Sequence, residues 1–266
     1  MRIAIIADIH ANSVALGAVL EDLRSKSPDM IYCCGDLVGY HPLANETIEL
    51  VRKNNIFSVA GNHDLAVSGV ESDLSEFWEV AVNAVNWTKA ELLHENMAYL
   101  RDLPRTTSVH DELVLFHGSP ADSDFPEMQR ITDIEAADRA FAEMRKLYPN
   151  GRIGFFGHTH KPAVFINDSS QTREILIGDG TVELSRENRY LVNPGSVCLS
   201  RDSDERAAYA ILETEQLCLS FHRVRFDNSG VIRAARQAGL HEPRIFRLCR
   251  RWARRIRNRL CRELGR

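Results

Sequence analysis

Seven side chains able to ligate metal stand in short blocks that each follow an apolar run. They are Asp8 and His10 in Asp8-Ile9-His10, Asp36 after Gly35, Asn62 in Gly61-Asn62-His63-Asp64, His117 in His117-Gly118-Ser119-Pro120, and His158 and His160 in Gly157-His158-Thr159-His160. Two carboxylates, one amide oxygen and four imidazoles are too many donors for one ion and suit two ions sharing a carboxylate. Nitrogen and oxygen donors without thiolate favour Mn, Fe, Zn, Ni or Co over Ca or Mg. Each block also has a plain structural reading: Asp8 and His10 as an incidental pair, Asp36 as a cap, Asn62 as a turn former, His117 or His158 as core histidines. Five such blocks at successive strand ends favour one shared site. His63 is the spare side chain beside a ligand; the residues leave its role open, and a general acid is what such chemistry lacks.

These residues need elements that end at the same place. Residues 2–7 and Met30-Ile31-Tyr32-Cys33-Cys34 read as strands, with a helix between them on Leu16, Val19, Leu20 and Leu23 that Asn12 or Ser13 caps. In Asp8-x-His10 the strand period of two puts both side chains on one side if the strand continues. A helix near 45–54 leads to the run Ile56-Phe57-Ser58-Val59-Ala60, where Gly61 supplies freedom for a sharp turn, so Asn62, His63 and Asp64 fall on a loop outside a strand's carboxyl end. This alternation predicts a mostly parallel, helix-covered sheet. Residues 65–103 interrupt it with a helical stretch that packs beside or over the site, as core filling or as a gate. A hairpin over 106–116 turns at His110-Asp111-Glu112 and delivers His117. Thr132 and Glu135 form a capping box that opens the next helix. Residues 152–156 lead to Gly157-His158-Thr159-His160, and strands follow at 162–167, 173–178, 181–185, 190–192, 207–213 and 216–224.

The ordered set D-x-H, G-D, G-N-H-D, H-G and G-H-T-H, extended by Asn193-Pro194-Gly195-Ser196, resembles the calcineurin-like metallophosphoesterase superfamily, in its small bacterial phosphodiesterase-like branch. The resemblance implies an α/β fold: a four-layer αββα sandwich of two mixed β-sheets flanked by helices, with a helical insertion after the third strand. It implies two divalent metal ions per chain, with Mn favoured for activity: one on Asp8, His10 and His160, a second on Asn62, His117 and His158, and Asp36 bridging. By the same likeness a bridging hydroxide attacks phosphorus while His63, the catalytic residue, protonates the leaving oxygen. The expected substrates are small phosphoesters or dinucleoside polyphosphates. Relatives that act on phosphoproteins, and the symmetric dinucleoside-tetraphosphate hydrolases, typically carry G-D-x-V-x-R-G, whose Arg grips the phosphate; here the block is Gly35-Asp36-Leu37-Val38-Gly39-Tyr40-His41-Pro42, with no Arg, and the acidic residue that some relatives use to orient the catalytic His is missing at Gly39, which disfavours a large phosphoprotein substrate. Tyr40 and His41 either line the pocket and stack a base or simply pack the loop. The alternatives are a non-catalytic scaffold of the same fold, disfavoured by the complete ligand set, and a DNA nuclease, disfavoured by the acidic body.

With 266 residues, 44% of them hydrophobic and 26% charged, the chain has the composition of a globular protein with a sizeable core. Residues 1–240 form the metallophosphoesterase domain, with 65–103 as its insertion. The net charge of −4 hides an asymmetry: residues 241–266 hold ten Arg and two Glu, leaving 23 basic against 35 acidic residues in 1–240. In that tail Ile245, Cys249, Trp252, Ile256 and Leu260 share one helical stripe, which predicts a basic amphipathic C-terminal helix that docks on the acidic body, lies on an anionic membrane surface or contacts nucleic acid. Six cysteines without C-x-x-C spacing suggest neither zinc nor disulfides, and fit a cytoplasmic protein, peripheral at the membrane if the tail binds it. No run approaches a membrane span, and a cleaved leader is not expected because it would remove Asp8. Oligomeric state is not legible.

Overall fold

The computed structural model describes residues 1–120, 126–168, 170–175 and 180–240. The first half alternates as β1 (Arg2–Ile6), α1 (Ser13–Lys26), β2 (Met30–Cys33), α2 (Ala44–Lys53) and β3 (Phe57–Ser58), then runs through α3 (Asn62–Ser68), α4 (Glu79–Glu91) and α5 (His94–Arg101). The second half holds β4 (Thr106–Val109), β5 (Leu113–Phe116), α6 (Ile134–Leu147), β6 (Ile153–Phe155), β7 (Ala163–Asn167), β8 (Thr172–Ile175), β9 (Thr181–Glu183), β10 (Arg189–Asn193), β11 (Ala207–Glu213), β12 (Cys218–Val224) and α7 (Ser229–Gln237).

Two mixed six-stranded sheets result, ordered β3-β2-β1-β11-β12-β9 and β4-β5-β6-β10-β7-β8. Strands β1, β2 and β3 are mutually parallel, as are β5, β6 and β10, while the outer pairings are antiparallel. Strand alternation sorts the apolar residues into three layers. Ile3, Ile5, Leu113, Leu115, Tyr190 and Val192 face inward between the sheets. Ala4 and Ile6 face the other way, onto Leu16 and Val19 of α1 and Ile48 and Val51 of α2. Val114, Phe116 and Leu191 turn outward onto Phe141 and Met144 of α6. The architecture is the expected αββα sandwich. Helices α3, α4 and α5 join the first outer layer through Ala66, Val67, Val85 and Leu100, and α7 lies on α4 through Ala235.

Several local expectations change. The run 56–60 pairs as strand only at Phe57 and Ser58, since it is the sheet edge and meets β2 alone. Helix α3 begins at Asn62, so the G-N-H-D side chains occupy a helix's first turn and not a loop, with Leu65 N–H already bonded to Gly61 O at 3.0 Å. Asn12 caps α1 by accepting from Ala15 N–H at 3.0 Å. Helix α6 is capped by Asp133 and not by Thr132, because the Asp133 carboxylate takes the Ala136 N–H at 2.9 Å. Helix α7 is an addition to the sequence reading: it starts after Asp227-Asn228, with Ser229 N–H bonded to the Asp227 carboxylate at 2.9 Å. The end of the 173–178 strand and the basic tail, 241–266, lie outside the described residues. No helix among the described residues is long and apolar enough to cross a membrane.

Leu115 is fully buried between the sheets. Leu115→Ala should lower unfolding free energy by about 2–5 kcal/mol, the range for a buried leucine truncation, as read by urea denaturation.

Candidate metal centre

The parallel strands place the site. β1 leads to Asp8 and His10, β2 to Asp36, β3 to Asn62 and His63, β5 to His117, and β6 to His158 and His160. The structure brings all seven candidate donors together, buried, with Asp8 and His10 0% exposed and none above 6%. Asp8, His10, Asp36 and His160 offer atoms within 4.8 Å of one another, as do Asp36, His117 and His158. Asp36 belongs to both groups: its Oδ2 lies 3.6 Å from His10 Nε2 and 3.2 Å from His117 Nε2.

The turns that deliver these groups are left-handed. Asp8, His10, Asp36, His158 and His160 have φ between 50° and 62°, a conformation that costs a non-glycine residue about 1–2 kcal/mol. The strand period therefore does not bring Asp8 and His10 together, since β1 ends at Ile6 and a strained turn does the work. Interlocking bonds hold it: Asp8 N–H donates to Gly35 O at 3.1 Å, while Ile9 and His10 N–H both reach Asp36 O at 2.9 Å. Asn193 and Ser196 add a second brace. Asn193 Nδ2 donates to Gly157 O at 2.7 Å, and Ser196 Oγ to Asp8 O at 2.9 Å.

Asp64 is the tie between the Asp36 loop and α3. Its carboxylate accepts from Gly61, Leu37 and Val38 N–H at 2.9, 3.2 and 3.1 Å. Burial and the neighbouring Asp36 push its pKa up to about 7 against those three donors. Asp36 Oδ1 in turn accepts His63 N–H at 2.9 Å. Gly61 has φ −95°, which any residue adopts, so its freedom to turn is not what is used. A Cβ there would lie 2.2 Å from Asp36 Oδ1; the glycine lets the bridging carboxylate approach.

The donor set fits divalent ions. Nδ1 of His10, His160 and His117 lies 3.3, 2.7 and 2.7 Å from the carbonyls of Val38, Leu199 and Cys34. A carbonyl only accepts, so each Nδ1 carries the hydrogen and each Nε2 turns a lone pair inward. His10 and His160 then face each other, Nε2 to Nε2, at 3.0 Å. His117 Nε2 faces Asn62 Oδ1 at 3.0 Å as well as Asp36. Acceptors converging on acceptors need a cation between them. Asp8 Oδ2 is buried with no hydrogen-bond partner. Burial drives the pKa values of His10, His158 and His160 well below the usual range, which keeps them neutral and able to ligate. Burial raises Asp8 to about 7, whereas His117 and His63 overcome burial and hold Asp36 well below the ordinary carboxylate range. Burial alone would lower His117, but the charge of Asp36 carries it up to about 10, so in the absence of an ion a proton takes the cation's place.

His63 is buried beside the centre, its ring 4.9 Å from His10, 4.7 Å from Tyr40 and 5.3 Å from Phe77. Its Nδ1 has no partner and faces Gly39, where a Cβ would be only 2.3 Å away. The carboxylate missing at Gly39 is thus replaced by close packing. Tyr40 lines the cleft, whereas His41 is packing: it is buried, with Nδ1 2.9 Å from His10 O. The helical segment reaches the site through Phe77, Trp78 and Ala81. Sequence reasoning missed Arg130 and Arg201, which line the same cleft. Neither follows a strand end, and only the nearness of Arg201 to Asn193-Pro194-Gly195-Ser196 hinted at it. None of the four described cysteines is in a disulfide.

The chain belongs to the calcineurin-like phosphoesterase superfamily, whose domain model matches residues 1–217. It is 36% identical over 227 residues to an uncharacterized protein of Methanocaldococcus jannaschii, covering 85% of this chain and 88% of that one. Among solved structures, a metallophosphoesterase from Sphaerobacter thermophilus superposes with TM-score 0.77 at 39% identity, over 91% of this chain and 95% of that chain. A hypothetical protein from Pyrococcus horikoshii OT3 shares the fold, with TM-score 0.72 at 19% identity, over 95% and 97% of the two chains. The family points to a hydrolase that binds divalent metal.

Asp64→Ala would leave three buried N–H groups unpaired. At about 1–3 kcal/mol for each such group, thermal unfolding should show a loss of about 3 kcal/mol or more, and an unchanged melting temperature would remove Asp64 from its tying role.

Proposed function

We propose that this protein is a metal-dependent phosphoesterase that hydrolyses phosphodiester or phosphoanhydride bonds in small, nucleotide-like substrates at a dinuclear site. The observation that carries this reading is the shared Asp36 Oδ2, placed between two buried donor groups. Asp8, His10 and His160 would hold one ion and Asn62, His117 and His158 the other, with Asp36 between them and Mn the favoured metal. Bound there, the ions would polarise the phosphoryl group, lower the pKa of an attacking water and neutralise developing charge.

The chain's own contribution is orientation and a proton. Nδ1–H bonds to the carbonyls of Val38, Leu199 and Cys34 orient the rings of His10, His160 and His117 with Nε2 turned inward before any ion arrives. The donor side chains are themselves buried, a setting in which electrostatic stabilisation is strong. His63 stands free of the donor set. Burial lowers its pKa while the charge of Asp36 opposes that shift and favours the imidazolium. In the imidazolium form His63 can give one proton to the departing oxygen and end as the neutral imidazole.

Hydrolysis of an aryl phosphodiester should require added Mn or a similar ion and stop on chelation. Acid assistance matters most for a basic leaving group, so His63→Ala should cost about 10²–10⁴ in turnover on an alkyl ester and far less on a nitrophenyl ester. Equal losses on both, or loss of bound metal, would end the general-acid assignment.

A further inference from the structure

Beyond the donor set, two positive side chains reach the cleft from separate segments: Arg130, just before α6, and Arg201, in the loop after β10. Both are tied to the histidine loop. Arg130 Nε donates to His158 Nε2 at 3.3 Å. Arg201 Nη1 donates to His158 O at 3.3 Å, and its backbone N–H to His160 O at 3.2 Å. The guanidinium groups are therefore anchored at the edge of the candidate centre. Of the carboxylates lining the cleft, Asp36 belongs to the donor set and Glu76 enters from the segment between α3 and α4. Two guanidinium groups on one cleft favour a ligand that brings negative charge on more than one group.

The reading of this site as a phosphoesterase leaves open which bond it prefers, and the count of charges bears on that choice. A lone phosphodiester carries one negative charge, which ions at the donor set would answer. A phosphoanhydride brings further phosphoryl oxygens beside the scissile group, and planar guanidinium forks bind such oxygens in pairs. The two arginines line the cleft with Tyr40, Phe77 and Trp78, whereas the neighbouring pocket, which shares Asn62, Glu76, Phe77 and Met128 with it, adds Glu71, Asp73 and Glu127, so further phosphoryl oxygens belong on the arginine side.

We propose that Arg130 and Arg201 clamp the phosphoryl group next to the scissile one, so that the preferred substrate contains a phosphoanhydride linkage and not an isolated diester. This supplies from two later loops the phosphate grip that the Gly35-Asp36-Leu37-Val38-Gly39-Tyr40 block lacks. It rests on the phosphoesterase reading, and the test separates the two.

Full-length, Mn-loaded protein is assayed with bis(p-nitrophenyl) phosphate and with diadenosine tetraphosphate, as wild type and as Arg130→Ala, Arg201→Ala and Arg201→Lys. The ratio of kcat/KM on the anhydride to that on the diester should fall about 10- to 100-fold in each alanine variant, the range for removing a charge-assisted hydrogen-bonded pair. Most of the fall should come through KM, and Arg201→Lys should recover part of it. Equal losses on both substrates, or no loss on the anhydride, would overturn the clamp. Calorimetric titration of metal-free protein with inorganic tripolyphosphate gives a readout without turnover. The tail arginines are common to all variants, so a site present in the wild type and weakened at least about tenfold in Arg130→Ala is the clamp; identical isotherms would overturn it. If that site is present but neither substrate is hydrolysed, the anion clamp stands and the phosphoesterase reading fails.

Discussion

The Asp36 carboxylate is the constraint on which the rest of the site depends. One oxygen is taken by the first turn of α3 through His63 N–H, which orients the other toward two groups of donors at once. That orientation needs α3 to start at Asn62, and α3 starts there because Asp64 binds Gly61 N–H and reaches across to Leu37 and Val38. It also needs a residue without Cβ at 61. The tetrapeptide Gly61-Asn62-His63-Asp64 therefore combines close approach, a candidate metal donor, the proposed proton donor and the tie in four consecutive positions.

Holding this arrangement requires backbone that most sequences would avoid. Left-handed residues at Asp8, His10, Asp36, His158 and His160 are each unfavourable on their own. They are over-determined by bonds between neighbouring loops, such as Ile9 and His10 to Asp36 O, and by the brace from Asn193 and Ser196. Beneath them, an apolar layer shared by both sheets fixes the relative position of the strand ends. A sandwich is the fitting scaffold, because strands from two sheets converge on one edge and deliver donors from both sides.

Much of this was legible in the sequence. Apolar runs ending in Asp, His or Asn marked the strand ends, since a buried strand in a parallel segment is nearly all apolar and a polar residue at its end stands out. The four layers came from the resemblance; residues 3–7 are apolar on both faces, so only the fold shows Ile3 and Ile5 against Ala4 and Ile6. What stayed hidden depended on tertiary contacts. Nothing local distinguishes Asp64 as a tie from a helix cap, or Gly61 as a close approach from a flexible turn. The shift of the α6 cap from Thr132 to Asp133 is one residue, within reach of either side chain. Arg130 and Arg201 sit in loops whose sequences carry no periodicity, and only the fold brings them to one cleft. The choice between His41 and Tyr40 as a pocket residue was likewise decided by which ring the strained Tyr40 turn, φ 61°, sends inward.

The central claim is that Asp36 joins two donor groups into one dinuclear centre. The direct test is metal content per folded chain after loading with Mn and removal of free ion, for the wild type and Asp36→Ala. The account predicts two ions in the wild type, about 3.5–4 Å apart by anomalous diffraction, and loss of both in the variant while its circular dichroism stays folded. One ion or none in the wild type, or two retained without the Asp36 carboxylate, would contradict it.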